Sequence, residues 1–144
     1  YPLAQCTGPS MLPTLNNDGD IIAIEKMSIR HMQSNASSAV APRGLGLGDM
    51  VISISPLDPH RHVCKRVLGL PGDSICIDPT KDPARFVTVP RGHVWLQGDN
   101  MENSTDSRQY GPVPIAMLRG RVIARVWPDP CWMTNGLRVI NDHS

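Results

Sequence analysis

Apolar and polar positions along this chain fall into short runs rich in β-branched residues, each closed by a turn signal. Residues 20–25 (Asp-Ile-Ile-Ala-Ile-Glu) and 50–55 (Met-Val-Ile-Ser-Ile-Ser) are two of them, and residues 63–68, 74–77, 86–89, 93–96 and 120–127 continue the series. Runs of this length and content predict strands. The pairs Gly19-Asp20, Gly48-Asp49, Gly72-Asp73 and Gly98-Asp99 punctuate them as independent turns, because their flanks do not match as repeats would. Many short strands between Gly and Pro turns predict an all-β fold, a compact multi-stranded sandwich or barrel-like arrangement with little helix. Residues 115–118 (Ile-Ala-Met-Leu) predict a single helical turn. The stretch from about residue 31 to residue 46 lacks such a pattern. Its 34–46 part is rich in Ser, Ala and Gly, has no acidic residue, and is expected to be a mobile loop.

Composition narrows this picture. A chain of 144 residues suits one domain with one sizeable core, so residues 1–144 are read as a single unit. The 14 prolines, about twice the usual share, argue against long helices. A formal net charge of +1 gives no electrostatic case for nucleic acid as a partner. No apolar run approaches the roughly 18–20 residues of a membrane-spanning helix. The first residue is Tyr1 rather than Met, so a trimmed chain is expected, from which a targeting or anchoring segment has been removed. Cys6, Cys64, Cys76 and Cys131 lack the close pairing of zinc or thioredoxin-type motifs, and disulfides and free thiols both stay open.

The chemistry starts near the N-terminus, in Gly8-Pro9-Ser10-Met11-Leu12-Pro13-Thr14. Each proline fixes its own φ and pushes the residue before it toward extended conformations. A serine stiffened in this way is a candidate nucleophile and needs a base. Cys6, as a rival nucleophile, reads better as a small apolar packer. Among the histidines, His31 borders the loop segment and His143 sits at the tail. His60 and His62 lie in a Pro-rich turn with no third ligand cluster to make them a metal site, and His93 opens a strand. Triads assemble from distant positions, so a Ser-His-Asp arrangement stays open, but no histidine is singled out.

Lys65 differs. Alternation along Val63-Cys64-Lys65-Arg66-Val67 puts Val63, Lys65 and Val67 on one face and Cys64 and Arg66 on the other. A lysine flanked by valines is expected to be partly desolvated, which disfavours its ammonium and prepares it to accept a proton near neutral pH. The competing reading of the local pattern is an edge-strand lysine that reaches water or blocks strand pairing.

Five segments carry a wider likeness. They are residues 10–14 (Ser-Met-Leu-Pro-Thr), 48–51 (Gly-Asp-Met-Val), 65–73 (Lys-Arg-Val-Leu-Gly-Leu-Pro-Gly-Asp) and 89–100 (Val-Pro-Arg-Gly-His-Val-Trp-Leu-Gln-Gly-Asp-Asn). The fifth is 103–108 (Asn-Ser-Thr-Asp-Ser-Arg), with 110–114 (Tyr-Gly-Pro-Val-Pro) behind it. In this order they closely resemble the type I signal peptidase family. The Gly-Pro-Ser-Met start and the short 74–88 interval resemble its mitochondrial inner membrane branch, subunit 1 type.

The resemblance implies a serine endopeptidase that removes signal or sorting presequences from proteins of the mitochondrial intermembrane space. Ser10 would be the acylating nucleophile and Lys65 the general base for acylation and deacylation. Ser104 would orient the lysine amine, Asp106 and Arg108 would form a bracing ion pair, and Asp99 would belong to the same supporting shell. On their own, Asp106 and Arg108 read as a solvated turn. The family further implies no cofactor and no metal, presequence peptides as substrates, pairing with a related second subunit, and membrane association. Its N-terminal membrane helix would end near Tyr1, with the domain facing the intermembrane space.

One position departs from many bacterial relatives, where the residue two before the nucleophile is a serine that donates to the oxyanion hole. Here it is Gly8, which leaves the backbone N–H of Ser10 as the assigned donor. Loss of one such donor costs about 2.7–4 kcal/mol of transition-state stabilisation. Two alternatives frame the reading. A penicillin-binding type amidase would need Ser-x-x-Lys, and Pro13 occupies that position. A β-rich binding or regulatory subunit would keep the fold without the chemistry.

Overall fold

The computed structural model describes residues 3–6, 11, 15, 20–27, 29–30, 45–78, 80, 83, 85–100, 105–127 and 131–133. Residues 31–44 of the expected loop lie outside the described residues, as do Gly8, Ser10 and Ser104. Among the described residues, ten strands run in chain order: β1 (Leu3–Cys6), β2 (Asp20–Glu25), β3 (Met50–Ile54), β4 (His62–Gly69), β5 (Ser74–Asp78), β6 (Arg85–Thr88), β7 (His93–Gln97), β8 (Val113–Pro114), β9 (Leu118–Trp127) and β10 (Cys131–Trp132). A short helix α1 (Ser107–Tyr110) precedes β8, and a 3-10 turn (Ile115–Met117) replaces the expected helical turn.

The main sheet is antiparallel, with strand order β1-β2-β9-β3-β4-β7-β8 and β10 paired to β9, while β5 and β6 form a separate ribbon. Two of the Gly-Asp pairs set up these ladders. Gly48 and Gly72 adopt φ of 90° and 91°, which suits a residue without Cβ. Gly48 N–H then donates to Val67 O at 2.7 Å, and Val67 N–H returns to Asp49 O at 2.8 Å, starting the β3–β4 pairing. At the other end, Asp58 Oδ1 accepts the N–H of His60 at 3.0 Å and closes the hairpin loop.

Alternation along β3 explains why the sheet has core on both faces. Val51 belongs to a cluster with Val67, Val94, Leu96, Val113 and Leu118. Its neighbours Met50 and Ile52 point the other way, into a cluster with Met11, Leu15, Ile22, Ile24 and Val122. Each side chain lands on the face that period-2 geometry assigns it. β4 lies between β3 and β7, so it has no free edge, and its Lys65–Val67 stretch is buried on both faces. Edge placement of Lys65 is thereby ruled out.

The elements missed by the sequence pattern are the short ones. β1, β8 and β10 have two to four residues and owe their form to partners rather than to β-branched content. Helix α1 does carry a signal: Asp106 and Gln109 make a capping box, with Asp106 accepting from Arg108 N–H and Gln109 Oε1 accepting from Asp106 N–H.

Gly69 sits where the ribbon folds back on the sheet. A Cβ there would stand 2.8 Å from Ile75 Cδ1, 3.0 Å from Trp95 Cβ and 3.2 Å from Val89 Cγ2. Gly69→Ala is expected to lose about 1–3 kcal/mol through overpacking, read as a lower urea midpoint. Gly46→Ala, whose Cβ would come no nearer than 4.0 Å to Asp49 Oδ2, is expected to stay within about 0.5 kcal/mol.

Candidate active site

β4 places two cations side by side on opposite faces of a strand buried on both. Lys65 pairs in register with Val51 and faces the Val51–Val67–Leu96 cluster, with 3% of its surface exposed. Burial among these apolar groups pushes its pKa below the ordinary value of 10.5. Asp106 and Cys64 oppose this shift and Arg108 adds to it, so Lys65 shares its surroundings with the Asp106–Arg108 pair.

Arg66 meets the opposite fate. Its Nε and Nη2 donate to Asp99 Oδ1 and Oδ2, both at 2.7 Å, and its Nη1 donates to Gly48 O at 2.6 Å. The planar guanidinium matches the carboxylate as a fork. Hydrogen bonding to Asp99 raises its pKa further and keeps it charged. The sequence pattern sets Arg66 on the face opposite Lys65 and gives it no role there. The missed signal was a second cation next to Lys65 on a strand too apolar to be an edge.

Asp106 is the other organising group, and it is fully buried rather than solvated. Its Oδ2 accepts Gly98 N–H at 3.0 Å and Arg108 Nη2 at 3.0 Å, and its Oδ1 accepts Arg108 Nε at 2.9 Å and Arg108 N–H at 3.1 Å. Next in the chain, Ser107 Oγ accepts Leu96 N–H at 2.9 Å, which ties α1 to β7. Burial, with help from Asp106, pushes the Tyr110 phenol up to about 12. Among the described residues, every buried side-chain nitrogen and oxygen has a hydrogen-bond partner.

The structure thus brings Lys65, Asp106 and Arg108 into one neighbourhood and sets Asp99 beside it through Gly98. Ser10 and Ser104 fall outside the described residues, but Met11, the residue after Ser10, is buried and its sulfur accepts Asp99 N–H at 3.4 Å. His60 and His62 are exposed, and His93 Nδ1 lies 2.8 Å from Arg91 O. Cys64, Cys76 and Cys131 form no disulfide, while the side chain of Cys6 lies outside the described residues.

The family model described as signal peptidase, peptidase S26, matches residues 2–83 and 78–127. The chain is 44% identical over 142 residues to mitochondrial inner membrane protease subunit 1 of Schizosaccharomyces pombe, covering 99% of this chain and 82% of that protein. It is 46% identical over 130 residues to the human protein of the same name, covering 88% of this chain and 69% of that one. A solved signal peptidase I of Enterococcus faecalis aligns with 55% of this chain and 97% of its own, at 23% identity and a TM-score of 0.46.

A lysine whose folded-state pKa is depressed costs stability wherever it is protonated in both states. The cost is full below the folded pKa and fades as pH rises from there toward the unfolded value. Lys65→Met is therefore expected to be more stable than the parent at neutral pH, with a gap in melting temperature that narrows as pH approaches 10.5. Thermal unfolding at several pH values measures it, and a gap that widens with pH would show the opposite linkage.

Proposed function

The chain belongs to the signal peptidase family, peptidase S26, and from that premise we propose that it is a serine endopeptidase acting through Ser10 and Lys65. It is a peptidase of the mitochondrial inner membrane. Its substrates are presequences of proteins delivered to the intermembrane space, and its working form pairs with a related second subunit at the membrane. The observation that carries the mechanism is Lys65: buried on a central strand, lowered in pKa, and bordered by a carboxylate already engaged by Arg108.

The chemistry follows from that state. A neutral Lys65 Nζ takes the Ser10 Oγ proton as Oγ attacks the scissile carbonyl. The tetrahedral oxyanion rests on the Ser10 N–H, and Gly8 supplies no side-chain donor there. Lys65, now an ammonium, gives its proton to the departing amine, leaving an acyl ester on Ser10. The same amine then deprotonates a water that attacks the ester carbonyl, and the resulting ammonium returns that proton to the departing Ser10 Oγ, which frees the acid product and restores the neutral lysine. Ser104 orients Nζ, Asp106 and Arg108 hold the electrostatic balance, and Asp99 braces β4 through Arg66.

The test is presequence-peptide cleavage by the membrane-anchored enzyme with its partner subunit. Ser10→Ala and Lys65→Ala are each expected to lose at least about a thousandfold in kcat; parental activity in either would sink the dyad. Because Lys65 works as the free base, activity is expected to rise with pH along an acid limb below 10.5. Asp106→Asn removes a charge that raises the Lys65 pKa, so its limb moves to lower pH. Arg108→Ala removes one that lowers it, so its limb moves to higher pH. A limb that stays put in both, or that disappears on replacing a histidine, would contradict Lys65 as the base.

A further inference from the structure

We propose that Met11, Asp99 and Arg66 form a positioning clamp that sets Ser10 against Lys65. The proposal rests on the Ser10/Lys65 reading above. Met11 follows Ser10 in the chain and Arg66 follows Lys65. Consecutive Cα atoms lie about 3.8 Å apart, so fixing each neighbour restricts where each reacting side chain can go.

Both neighbours end on one residue. The backbone N–H of Asp99 donates to Met11 Sδ at 3.4 Å, and its carboxylate takes the Arg66 fork at 2.7 Å on each oxygen. Each arm is then held a second time. The Met11 carbonyl accepts Leu15 N–H at 2.9 Å, and the residue is 3% exposed in the cluster with Leu15, Met50 and Val122. Arg66 also donates to Gly48 O, and its register partner on β3 is Met50, which packs in that same cluster. The preceding amide, Gly98 N–H, binds Asp106, so two successive N–H groups after β7 bind the residue beside Ser10 and the carboxylate near Lys65.

A thioether is a weak acceptor, so the Met11 bond contributes direction more than energy. The Arg66 fork supplies the rigidity, because a bidentate guanidinium–carboxylate pair has one planar geometry. Met11, Asp99 and Arg66 are positioning residues: they act through the placement of Ser10 and Lys65. Placement matters steeply, since a misplacement of about 1 Å costs about a hundredfold in rate.

The experiment measures kcat, KM and the pH profile of presequence-peptide cleavage in the anchored enzyme with its partner, with rates normalised to folded protein by circular dichroism. Met11→Leu keeps an apolar side chain and loses the acceptor; Arg66→Lys keeps the charge and loses the fork. Each is expected to lower kcat about tenfold or more at unchanged KM, with the acid limb at its parental position. Their double variant is expected to lose no more than the worse single, because both act through Asp99. Parental kcat in either single, a change confined to KM, or a double loss equal to the product of the singles would overturn the clamp. Ser10→Ala is measured alongside. If it stays active, the dyad reading falls and takes the clamp with it; if it is inactive while Met11→Leu and Arg66→Lys match the parent, the clamp alone is wrong.

Discussion

Two adjacent cations on a strand buried on both faces set the terms for the rest of the structure. Lys65 and Arg66 cannot both be left to water, because β4 runs between β3 and β7 with an apolar cluster against each side. A buried charge must be paired or neutralised. The protein uses one solution on each face. Arg66 stays ionised and is matched by Asp99 and Gly48 O, whereas Lys65 is tilted toward its neutral form by desolvation. Alternation, the simplest property of a strand, thereby separates a structural cation from a chemical one in consecutive residues.

The other features near β4 follow from that split. Asp99 must arrive opposite Arg66, which sets how β7 ends, and Gly98 next to it reaches Asp106. Asp106 in turn caps α1 and anchors it beside β7, where Ser107 takes the Leu96 amide. The short helix is held by polar groups rather than by its own length, since four residues are far too few to be stable alone.

Much of this was legible in the sequence, and the reasons are local. The strands β2, β3, β4, β7 and β9 were visible because β-branched runs between Gly-Asp turns state their own period. Lys65 stood out because valines flank it on one face, and the Asp106–Arg108 spacing belonged to a recognisable block. What escaped was non-local. Nothing near Asp106 announces full burial, because its Gly98 and Arg108 partners are assembled by the turn itself. The Arg66–Asp99 fork spans 33 positions, and the central place of β4 depends on strand order, which short-range pattern does not encode.

The balance at Lys65 also explains why a carboxylate so close to it does not lock it as an ammonium. An Asp facing a lysine across a dry interior would hold the proton in place and raise the pKa. Here Asp106 also gives its oxygens to Arg108 and to the amides of Gly98 and Arg108, so Lys65 does not have its charge to itself. Arg108 further opposes the Asp106 field at the amine, and desolvation is left as the largest influence. The Asp106–Arg108 pair therefore does more than brace a turn. It places a negative charge near a base while Arg108 takes back part of its pull, and desolvation keeps the amine from being fixed as a cation.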